Sequence, residues 1–122
     1  MNTSTTVQSH IDITDTLARL YLFLAQSLDR CVSEAARISY PEAQFQASLA
    51  STKATVLDML SVNQVVKGKV EQECDRVGSL VMACLKDGAA KAGALDELKV
   101  ERAVLKHKTL VLSDLLAVFR AA

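Results

Sequence analysis

Apolar side chains recur every three to four residues along most of the chain, and no useful run alternates strictly between apolar and polar positions. The pattern predicts helices and no strands. The first stripe comprises Leu17, Leu20, Tyr21, Leu24, Leu28, Cys31, Val32, Ala35 and Ile38, which fall within roughly 120° at the helical period, the normal width of a buried face. It predicts a helix over about 14–38, opened by the capping residues between Asp12 and Asp15 and closed before Pro41. Leu22 and Phe23 lie outside that arc. Residues 1–13 are mostly polar and carry no such stripe, and they are expected to form a flexible tail.

A second stripe starts at Phe45 and stays in phase through Leu49, Val56, Met59, Leu60, Val66, Val70, Cys74, Val77, Val81, Cys84 and Leu85. Ser39 and Glu42 have the spacing of a capping box, with Pro41 in the first turn where its missing N–H costs nothing. Two readings follow. A loop usually resets the phase, which favours one helix over about 41–86, roughly 65 Å long. Ser61 and Gln64 repeat the capping-box spacing, however, and allow a break around 61–64. Lys86, Asp87 and Gly88 mark a helix end, residues 88–93 are the connector, and a last helix is expected over about 94–120.

The C-terminal stretch raises a question of cover. Val111, Leu112, Leu115, Leu116, Val118 and Phe119 span about 160° of a helix, more than one neighbouring helix can bury. A compact four-helix bundle supplies two neighbours. A continuous middle helix instead leaves layers two helices thick, and these need a second chain or a partner. The expected fold is therefore all-α, an antiparallel helical bundle of three long or four medium helices, with residues 14–122 as one domain. Leu112, Leu115, Leu116, Phe119, Leu22 and Phe23 are the candidate interface residues.

Charge and composition narrow the functions. Lys plus Arg and Asp plus Glu are 14 each, so the positive field needed to hold a phosphate backbone is missing and nucleic acid is not an expected partner. The longest strongly apolar stretches, 20–28 and 110–119, are too short to span a bilayer. The polar N-terminus does not read as a secretory signal. Cys31, Cys74 and Cys84 form no CxxC pair and sit in apolar stripes, which points to free thiols and a reducing, cytoplasmic setting.

Chemistry is hard to assemble from these residues. Neither His10 nor His107 has a glutamate three residues before it, no phosphate-binding glycine loop is present, and no nucleophile motif occurs. No cofactor or metal is expected, and the clustered Glu71, Glu73 and Asp75 read as a solvated face. More informative are the polar residues within apolar stripes: Asn63 in the middle segment, and Glu101 with Lys108 in the last helix. They are candidates for fixing register between helices, as single polar positions do in coiled coils. Together these features imply a non-enzymatic interaction module, such as an assembly subunit, adaptor or chaperone for a helical segment, that forms a homo-oligomer or binds a helical partner. The alternative is a small-molecule binder or enzyme using a pocket between helices, with Glu101, Lys108 and Cys74 as its polar groups.

Overall fold

The computed structural model describes residues 3–92 and 94–121, all of them in helices or the short turns between helices. Among the described residues there are six helices: α1 (Thr3–Val32), α2 (Glu34–Ile38), α3 (Glu42–Met59), α4 (Gln64–Asp87), α5 (Ala89–Ala92) and α6 (Leu95–Ala121). Helix α1 begins well before residue 14, so most of the segment expected to be a flexible tail is helical. The tail expectation at Met1 and Asn2, and the connector expectation at Gly93, lie outside the described residues.

Helix α1 also stops earlier than its stripe predicts. Ser33 adopts an extended conformation and its hydroxyl accepts from the N–H of Ala36, so the chain turns aside into the short α2. Ala35 and Ile38 consequently leave the core, and Ile38 is exposed. Local capping here overrides apolar periodicity. The Ser39–Glu42 capping box does not form: Ser39 Oγ donates to the Ala36 carbonyl, and Pro41 is the residue that precedes α3.

The middle segment is two helices. After Leu60 the chain tightens through a turn in which Ser61 N–H donates to the Asp58 carbonyl and Asn63 N–H to that of Leu60. Asn63 then caps α4, its side chain accepting from Val66 N–H at 3.2 Å. Asn63 is thus exposed in a turn, and its structural role is to start a helix. At the other end of α4, Gly88 takes φ 93°, the left-handed region that closes a helix at little cost for glycine.

The four long helices run up, down, up, down. Asp29 of α1 pairs with Arg102 of α6, and His10 packs on Phe119 at the opposite end, so α1 and α6 are antiparallel and in contact along their length. Leu49 meets Gly78, and Lys53 pairs with Asp75, making α3 and α4 antiparallel. Tyr21 reaches Glu73, and Cys31 adjoins Cys84, making α1 and α4 parallel. The core joins Leu20, Leu24 and Leu28 of α1 to Phe45 of α3, Val77 and Val81 of α4, and Leu98 and Leu105 of α6. Phe45 is its aromatic centre, stacked on Phe23 at 5.7 Å and edge-on to Tyr40 at 6.0 Å. Such pairs add to the burial of apolar area.

Candidate functional site

Helices α4 and α6 are the two neighbours that do not close on each other. Their backbones stay apart, and between them lies a cleft of about 820 Å³ with an apolar floor of Leu80, Ala83, Ala92 and Leu98. Two ion-pair bridges cross the gap. Arg76 grips Glu101 with both terminal nitrogens, at 2.7 and 2.8 Å, and about two helical turns further down α6, one turn nearer the start of α4, Lys108 Nζ donates to Glu73. Tyr21 of α1 donates its hydroxyl to the other Glu73 oxygen at 3.0 Å, tying a third helix into the same network.

These bridges shift the groups that make them. The hydrogen bonds from Arg76 hold the Glu101 carboxyl below the ordinary carboxylate value, although partial burial opposes them. Burial, followed by the Glu73 charge beside it, pushes the Tyr21 hydroxyl well up, so it stays a donor. Glu101 and Lys108 therefore do not pair with each other; each reaches across to α4. Glu73, read from the sequence as part of a solvated face, is mostly covered and is the centre of the network. Its position level with Tyr21 depends on how α1 and α4 pack, which one-helix periodicity does not show.

Beside this network α6 presents an uncovered face. Val100, Val104, Val111, Leu115 and Val118 lie within about 60° of one another at the helical period, and they are between 41 and 64 % exposed. The opposite face of α6, carrying Leu98, Leu105 and Leu116, is the one buried against α1. Of the six residues expected at an interface, Leu116 is buried within the chain, Phe119 packs on His10, Phe23 packs on Phe45, and Leu112 is half-buried. Leu115 and Leu22 remain exposed. Val100, Val104, Val111 and Val118 complete the open face, and the packing of α6 on α1 is what leaves this row uncovered.

The thiols sit elsewhere. Cys31 and Cys84 are fully buried side by side, with Cys84 Sγ donating to the Cys31 carbonyl at 3.4 Å. Cys74 lines a separate groove between α3 and α4, beside Leu49 and Gly78, so the pocket imagined from Glu101, Lys108 and Cys74 is not assembled. Burial raises the Cys31 thiol and pushes that of Cys74 up to about 11. Thiols held protonated in this way are weak nucleophiles and weak metal ligands. Among the described residues no three His, Cys, Asp or Glu side chains are placed to hold a metal ion, and no helix is long and apolar enough to cross a membrane. Every buried side-chain nitrogen or oxygen among them has a hydrogen-bond partner. No known protein family matches the chain, and neither does any curated protein or solved structure.

Proposed function

We propose that this chain is a non-enzymatic interaction module, an assembly subunit, adaptor or chaperone, that docks another α-helix on the open face of α6. One observation carries the reading: five large aliphatic side chains stand in line along α6 without cover, while the charges on one flank of the row, Glu101 and Lys108, are neutralised within the chain by Arg76 and Glu73. An aligned apolar row of this kind is the geometry by which grooves and helices recognise a partner helix. The protonated, buried thiols support a non-catalytic role and fit a reducing, cytoplasmic setting.

The test compares proteins captured from cells that make this chain by the wild type and by a V104E/V111E variant. Both substituted positions are exposed, so the variant keeps its helical circular dichroism. Loss of specific partners, including further copies of the chain, with the variant is the expected result. Identical sets overturn the reading. A second reading, a small apolar molecule in the cleft between α4 and α6, is favoured by the cleft's volume, which lies within the range of ligand sites. It predicts a copurifying compound in native mass spectrometry that an Ala83→Trp substitution displaces.

A further inference from the structure

The open face of α6 has an internal symmetry. Val100, Val104, Val111 and Leu115 are spaced four, seven and four residues apart, a pattern that reads the same in both directions about a point beside His107. When two such helices are laid antiparallel with that point on a two-fold axis, Val104 faces the second chain's Val111, and Val100 faces its Leu115. These four positions are thus complementary to themselves, the requirement for an isologous two-fold interface, and Val118, the fifth residue of the row, falls level with the second chain's Glu97.

The flanks follow the same rule. On one edge of the row are Lys99, Ala103, Leu110 and Asp114, all exposed, and in antiparallel α-helical pairs like flanks face each other. The register that matches the valines puts Leu110 on the same side of the pair as the second chain's Ala103, and Lys99 on the same side as its Asp114, each twice over by symmetry. Among the described residues neither Lys99 nor Asp114 has an ion-pair partner within the chain, whereas the charges on the other flank, Glu101 and Lys108, already do. A generic partner helix explains the exposed valines; the mirrored spacing and the two unpaired opposite charges fit a second copy.

We propose that the occupant of the α6 face is a second copy of this chain, packed α6 against α6 in antiparallel register with Val104 opposite Val111. The proposal rests on the docking role of this face and names its partner. The axis passes beside His107, while Lys108 is drawn away to Glu73 and so does not set a like charge against its symmetry mate.

Cysteine pairing tests the register directly, because the three native thiols are buried. V104C and V111C proteins, each checked by circular dichroism for wild-type helicity, are oxidised separately and as an equimolar mixture, and disulfide-linked dimers are read on a non-reducing gel. Position 104 is separated from its own symmetry mate by about 10 Å along the axis, so each variant alone is expected to cross-link slowly and the mixture rapidly. V104C cross-linking alone as fast as the mixture indicates a parallel pair and overturns the proposal. Absence of cross-linking in all three samples overturns the second copy as occupant. That last outcome leaves the docking role of α6 standing, because the capture comparison with V104E/V111E judges it separately.

Discussion

Gly68 and Gly88 stand in opposite relations to their surroundings. A Cβ added at Gly68, on the exposed side of α4, meets nothing within 4 Å, so Gly68→Ala is expected to stabilise the protein by about 0.5–1 kcal/mol through the lost backbone freedom of glycine. Gly88 holds φ 93°, and Gly88→Ala is expected to cost about 1–2 kcal/mol. Thermal melts of the two variants check both signs. Gly88 was legible as a helix end, since a glycine after a charged last turn is a local signal. Asn63 was legible only as an anomaly in an apolar phase; its role as a cap depends on the turn before it. Glu73 was not legible, because the Tyr21 and Lys108 that cover it lie 52 and 35 residues away.

At the scale of elements, the long helices were readable from their stripes, but the stripes did not mark where α1 and α3 end; the second of these breaks was signalled only by the Ser61–Gln64 spacing. Ser33 diverts the chain five residues before the α1 stripe runs out, and Ser61 to Asn63 turn it without breaking the phase from Phe45 to Leu85. A turn that happens to preserve phase leaves no trace in periodicity. Where the elements cross, Phe45 is fully buried against Phe23 and Tyr40, and Phe45→Ala is expected to cost about 3–5 kcal/mol in denaturant unfolding. The bridge between α4 and α6 carries a pH signature. Glu101 is held below its ordinary value in the folded chain, so its contribution is complete above the ordinary carboxylate range and is lost as pH falls through the lower, folded value. Glu101→Gln is therefore expected to flatten the acid limb of a stability-against-pH curve while changing little in its slope above pH 6. An unchanged acid limb contradicts this assignment. Arg76 is half exposed, so solvent screening keeps the effect modest.

At the scale of the molecule, an antiparallel α1–α6 pair forms the frame and α3 and α4 cover one side of it. The excess apolar surface of the C-terminal helix, evident from composition and spacing alone, is only partly covered: Leu116 turns inward and Leu115 stays out. This divides the expected effects of two neighbouring substitutions. Leu116→Ala is expected to destabilise the chain by about 2–5 kcal/mol whatever its assembly state, whereas Leu115→Ala weakens association and spares the fold. The most direct measurement of the account's central claim, that this chain associates through α6, is light scattering on the wild type and on V104E across a wide range of concentrations. The expected result is a wild-type mass that rises with concentration to twice 13.2 kDa, with a V104E mass that stays at the single-chain value. A wild-type mass of one chain throughout, or a dimer that V104E leaves intact, contradicts it.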